Sequence, residues 1–283
     1  MKYGLYLPNF TPFGSARIIA DLARDAEQSG WDGLFIWDEI AGFDADTVDP
    51  WVALSAAAIA TTRIRLGALI TPLPRRRPWK VARETVSLDH LSDGRLVFGV
   101  GTGVGWPAWG DLGEESDPKI RGDMLDEALQ VLTGLWSTLP YSNTGPYYPI
   151  KKAQFIPGPL QQPRIPIWVG GVWPAKRPLR RMAQWDGMFP LAMGCANHQE
   201  ELTHLKEMID IVKNLRAGNP APFDVVVVGS TPSNKPVESS AIAAEYAAIG
   251  ATWYLESIGS EPGADPRSFE MVRARVLEGP PHA

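Results

Sequence analysis

Short apolar runs rich in β-branched and aromatic residues alternate along this 283-residue chain with longer amphipathic or alanine-rich stretches. The alternation predicts βα units around a parallel sheet, since strands buried on both faces read as continuous apolar runs. Tyr3–Pro8 reads as the first strand, and Ser15–Ser29 as a helix with Ile18, Ile19, Leu22 and Ala26 along one stripe. Gly30 supplies its C-terminal cap. Further strands are expected at Gly33–Asp38, Ile64–Leu69, Arg95–Val100, Ile165–Val169, Gly187–Leu191, Phe223–Val228 and Thr252–Glu256. Asp49-Pro50 opens a second helix with a side-chain cap. Others are expected at Trp79–Leu91, Arg121–Trp136, Ala175–Gln184, His198–Arg216, Val237–Ile249 and Pro266–Leu277. Eight strands, each followed by a helix, make an α/β fold with the count of a (β/α)8 barrel. The glycine run Gly99–Gly105 lacks the spacing of a dinucleotide fingerprint, so a doubly wound sheet is the weaker reading. We expect one domain over 1–283, with the proline-rich stretch at about 139–166 as an excursion from the barrel.

Composition narrows the function classes. A net charge of -5 offers no basic footprint for nucleic acid or an anionic membrane. No stretch approaches the ~18 apolar residues of a membrane span, and the N-terminus lacks the apolar region of a signal peptide. Cys195, the single cysteine, fits a reducing compartment, so a cytoplasmic protein is expected.

Barrel active sites lie at the C-terminal ends of the strands. The sequence places Asn9 and Phe10 there, then Trp37-Asp38-Glu39, Thr71, Arg75-Arg76-Arg77, Gly101-Thr102-Gly103, Trp106 and Trp109, Gly170-Gly171 and Trp173. The four histidines fall elsewhere, and neither a nucleophile elbow nor a zinc pair at i, i+4 is present. What remains suits a planar, mostly apolar ligand that brings its own reactivity, walled by Trp37, Trp106, Trp109 and Trp173. Gly170-Gly171, ahead of a helix carrying Arg177, reads either as a phosphate cradle or as a plain strand-to-helix turn. Asp38 and Glu39 are either proton-handling groups or partners of a rim arginine. Arg75–Arg77 reads either as attraction for an anion or as a solvated run. A phosphosugar lyase or isomerase on the same barrel would need a lysine or carboxylate pair inside the strands, and no strand core holds a lysine. A barrel that binds such a planar ligand and turns over nothing is the other alternative.

Several blocks, in order, resemble the bacterial luciferase-like family of flavin- or F420-dependent oxidoreductases. They are Tyr3–Phe10, Gly30–Asp38, Leu88–Gly103, Pro159–Gly171 and Trp185–Pro190. The resemblance implies a luciferase-like TIM barrel and a small-molecule substrate, with reduced FMN and O2 for monooxygenation or coenzyme F420 for hydride transfer. It also implies Asn9, Phe10, Asp38, Glu39, Thr71, Gly101, Thr102, Gly103, Gly170 and Gly171 as ring and phosphate contacts, and a homodimer. The chain departs from the family at Glu39, where many members carry histidine, and at Val104, where several F420 enzymes carry glutamate.

Overall fold

Each expected strand has a counterpart, and capping chemistry fixes most helix starts. The computed structural model describes residues 1–41, 45–103, 108–258 and 268–281. The chain begins with β1 (Lys2–Leu7) and α1 (Ala16–Gln28), which buries Ile19, Leu22, Ala23 and Ala26. Gly30 closes α1 at φ +90°, a left-handed conformation that suits glycine. Next come β2 (Gly33–Ile36) and α2 (Pro50–Ala60), where Asp49 accepts the Val52 N–H at 3.0 Å. Then follow β3 (Arg65–Ala68), β4 (Thr71–Pro72), α3 (Pro78–Leu91), β5 (Phe98–Gly101) and a short α4 (Ala108–Asp111). α5 (Pro118–Trp136) starts three residues ahead of the expected Arg121, because Asp117 accepts from Lys119 and Ile120 and Pro118 follows it. The excursion forms an antiparallel hairpin of β6 (Tyr141–Asn143) and β7 (Ile150–Ala153). The rhythm resumes with β8 (Ile167–Val172), α6 (Lys176–Met182), β9 (Gly187–Leu191) and α7 (His198–Leu215). It ends with β10 (Asp224–Gly229), α8 (Pro236–Ala248), β11 (Trp253–Ser257) and α9 (Phe269–Leu277).

Nine strands pair in the order β3-β2-β1-β11-β10-β9-β8-β5-β4, and every adjacent pair in this sheet is parallel. The sheet's two edges, β3 and β4, are consecutive pieces of one stretch of chain, so the sheet is a ring. A parallel bridge between Leu66 of β3 and Leu96, two residues before β5, links the two ends of the sheet again. The ladder breaks between β3 and β4 where the Leu69 carbonyl accepts the Tyr6 hydroxyl at 3.0 Å. Counted as one interrupted strand, β3 and β4 give the eight-stranded (β/α)8 barrel expected from the sequence.

Two apolar layers stabilise the ring. The larger lies between sheet and helices; the smaller fills the barrel with Phe35, Trp168, Phe189, Trp253 and neighbouring aliphatic side chains. Trp168 and Trp253 sit 5.4 Å apart, ring to ring, and Phe35 packs on both. Glycines make room for these rings: a Cβ on Gly187 would lie 2.4 Å from Trp168, and one on Gly33 would lie 2.8 Å from Phe35. Outside the barrel, the excursion is held by two carboxylates. Glu127 accepts the Tyr147 and Tyr148 N–H groups, and Asp89 accepts those of Leu160 and Gln161. Among the described residues, no helix is long and apolar enough to cross a membrane.

Candidate active site

Above the aromatic plug, at the C-terminal ends of the strands, lies a cavity of about 770 Å3. Its location follows from strand parity. Tyr6, Phe189, Leu191 and Val228 face the axis at the ends of β1, β9 and β10, and Ile70 enters from the break between β3 and β4. Sequence reasoning missed these five because they read as ordinary core positions. Their signal is inward parity at a strand's C-terminal end.

Of the residues singled out in the sequence, Trp37, Asp38, Glu39, Gly101, Thr102, Gly103, Gly170, Gly171 and Arg177 line the cavity. Asp38 follows β2, with a fully buried side chain whose Oδ1 accepts from Arg76 Nη2 at 2.5 Å. Burial pushes its pKa up, while the Arg76 charge and the nearby Thr71 hydroxyl pull it back. Its Oδ2 makes no well-aligned hydrogen bond among the described residues. Of the two roles expected of Asp38, the structure shows the arginine pairing, through Oδ1; Oδ2 is buried beside it. Glu39, next along, is half-buried. Its charge and burial push the Tyr6 phenol above its ordinary range, burial more strongly. The indole Nε1 of Trp37 is buried with no hydrogen-bond partner among the described residues.

Four expected contacts lie elsewhere. Asn9 is fully buried, and its amide is already engaged: Nδ2 donates to the carbonyls of Glu39 and Val48 at 2.7 Å each, and Oδ1 accepts the Glu39 N–H. It fixes the loop that carries Asp38 and Glu39 and does not line the cavity. Phe10 packs edge-on to Trp37, 5.7 Å between centroids, behind the wall. Thr71 stands behind Asp38. Trp173 turns outward and stacks on His204 at 5.6 Å, because the chain leaves the barrel there to reach α6. Trp106 and the side chain of Trp109 lie outside the described residues.

The strand-to-helix turn expected at Gly170-Gly171 needs correction. β8 continues through both glycines, which pair with Phe189 and Pro190 of β9, so they do not form the turn. Their lack of a side chain serves packing: a Cβ on Gly170 would stand 1.8 Å from Ile70 Cδ1, and one on Gly171 would stand 2.4 Å from Pro178 Cβ. Arg177 lies on the cavity wall but gives Nη2 to Asp123 and Asp126 at 2.6 Å each. The run Arg75–Arg77 also divides, with Arg75 Nε on Glu114 at 2.8 Å and Arg76 on Asp38.

The described histidines, His90, His198 and His204, lie outside the cavity lining. Nε2 of His90 pairs with the Gly158 carbonyl at 2.8 Å, and His198 meets Glu245 on the surface. Cys195 lies 3.4 Å from His204 Nδ1, and burial raises its thiol pKa, with Glu200 and Glu201 adding to the shift. No group of three or more histidine, cysteine or acidic side chains suited to a metal occurs among the described residues.

Comparison with known proteins agrees with this fold. The sequence model of the luciferase-like monooxygenases matches residues 1–232. An uncharacterised protein of Mycobacterium tuberculosis is 33% identical over 228 residues, 73% of this chain and 75% of that protein. The F420-dependent glucose-6-phosphate dehydrogenase of Nakamurella multipartita is 31% identical over 190 residues, 62% of this chain and 52% of that enzyme. The crystal structure of the monooxygenase RslO1 from Streptomyces bottropensis superposes with a TM-score of 0.77 at 17% identity, covering 98% of this chain and 99% of that one.

Proposed function

Because this chain belongs to the luciferase-like monooxygenase family, we propose that it is an oxidoreductase using FMN or coenzyme F420 on a small organic substrate. One observation carries the reading: a largely apolar cavity at the strands' C-terminal ends is lined by Asp38, a buried carboxylate, and by Trp37, whose buried indole N–H has no partner among the described residues. That donor set fits a flat heterocycle, which needs apolar faces and a few polar contacts at its edge. Gly101, Gly103 and Gly170 keep the wall free of side chains. The Trp37 Nε1–H, buried beside the cavity and unpaired among the described residues, is the spare donor that a ring oxygen or nitrogen would engage when the side chain turns toward it. Bound there, either cofactor supplies the hydride or oxygen chemistry.

The chain's own residues bind, orient and handle protons. Arg76 holds Asp38 in place through Oδ1, and Oδ2, buried beside the cavity, is the oxygen with capacity left to accept a hydrogen bond or exchange a proton once a side chain moves to admit it. Glu39, half-buried at the rim, is the second proton-handling group. Tyr6 shapes the floor, with its hydroxyl committed to the Leu69 carbonyl. Titration of the purified protein with FMN and with F420, followed by fluorescence and melting temperature, tests the reading. Saturable stabilisation by one of them is expected; stabilisation by neither would sink it. Trp37→Phe keeps the ring and removes the donor, and should weaken cofactor binding up to about ten-fold.

We also propose that two copies pair. α2 (Pro50–Ala60) holds no charged residue, and its outer face exposes Val52 and Ile59, the latter by 75%. Sedimentation equilibrium should give twice the chain mass for the wild type and a monomer for Ile59→Glu.

A further inference from the structure

The charges around the cavity restrict what it accepts. Part of the wall is apolar: Leu69, Ile70, Phe189, Leu191, Val228 and Met193. The basic residues lining it are Arg75, Lys119, Arg177 and Arg181. Arg75 Nε lies on Glu114 at 2.8 Å. Arg177 Nη2 is shared between Asp123 and Asp126. Arg181, itself buried, gives Nε to Asp126 at 2.5 Å and Nη2 to the Gly122 carbonyl at 3.1 Å. Burial opposes ionisation of Asp126, but hydrogen bonds from Arg181 and Arg177 hold its carboxyl below the usual range.

We infer that the cavity takes an uncharged, largely apolar organic substrate and turns away phosphorylated ones, because carboxylates already neutralise the arginines on its wall. A phosphate monoester carries close to two negative charges and is held by several charged donors at once. Reaching Arg177 or Arg181 would mean displacing Asp123 or Asp126, or placing like charges side by side. Lys119 is the one lining cation with no ion pair among the described residues, and it sits exposed at the first turn of α5. On the cofactor reading, its ammonium meets the cofactor's own phosphate, which leaves no second site of that kind on the described wall. The chain thus departs from the glucose-6-phosphate dehydrogenase it resembles over part of its length.

The inference rests on the cofactor reading only for the role of Lys119. Its test is calorimetric titration of the full chain, alone and with F420 added, using cyclohexanone, 2-decanone, glucose 6-phosphate and inorganic phosphate. Saturable binding of a ketone, with neither phosphate binding at the same concentrations, is the expected result. Tighter binding of glucose 6-phosphate than of either ketone overturns the inference, as does binding by none of the four. The positive arm is Asp123→Asn, which removes a half-exposed carboxylate from Arg177. It should tighten inorganic phosphate binding by about three- to ten-fold, and no gain would show that ion pairing is not what closes the wall. Asp126→Asn should act more strongly. Because it leaves the buried Arg181 without its carboxylate, its melting curve is measured alongside. If neither FMN nor F420 binds while the ketone-over-phosphate order holds, the cofactor reading falls and this inference stands.

Discussion

Asp38 is an acid in a place where a lone charge could not persist. Its carboxylate has no exposed surface, and Arg76, 16% exposed, is its ion-pair partner. Arg76→Gln would leave a buried acid without that partner, a change that costs about 3–5 kcal/mol when the charge remains. Urea unfolding near neutral pH should show that loss, and adding Asp38→Asn should recover much of it. The pH dependence has a definite sign. Folding raises the pKa of Asp38, so its contribution to stability is fully present below the unfolded value of about 4 and is lost as pH rises through the folded value. The wild type should therefore lose stability relative to Asp38→Asn as pH climbs from about 4 toward neutrality. Asp38 and Glu39 were legible as strand-end carboxylates. The role of Asn9 was not, because its partners Glu39 and Val48 lie 30 and 39 residues away, and no local spacing reports them. Trp173 misled for a related reason: a strand end says which layer a residue occupies, but not which way the departing chain turns its ring.

At the scale of elements, the excursion shows how a few carboxylates dock a hairpin that contributes no strand to the barrel. Asp89, at 0% exposure near the end of α3, accepts two backbone N–H groups and the Gln161 side-chain amide. Asp89→Ala should cost about 1–3 kcal/mol for each donor left buried without an acceptor. The local readout is faster amide hydrogen exchange at Leu160 and Gln161, with α1 amides unchanged. Proline density marked residues 139–166 as an interruption of the βα rhythm. The hairpin inside it was not readable, since β6 and β7 are short and mostly polar. Helix starts were legible where chemistry signed them, as at Asp49-Pro50. The continuation of β8 through Gly170-Gly171 was not, because two glycines suggest a turn until Ile70 and Pro178 are seen filling the space beside them.

Across the whole molecule, the eightfold alternation was the most legible property, because a parallel barrel repeats one supersecondary unit. The aromatic excess was harder to place. Trp37 reaches the cavity, while Trp168 and Trp253 fill the barrel below it, with the Trp168 indole donating to Asp224 at 3.2 Å. Trp168→Ala should cost about 3–5 kcal/mol, read by chemical unfolding. Gly187→Ala should destabilise too, through the 2.4 Å approach to the same ring. The plug also governs traffic. Phe35, Trp168 and Trp253 seal the axis from beneath, and Lys2 stands over Trp253 on the far side, 5.2 Å from its ring. Whatever enters must leave by the way it came. Two ligands that share such a blind well queue: the deeper one arrives first and departs last. Steady-state inhibition patterns should accordingly show compulsory order, with the outer ligand trapping the inner one.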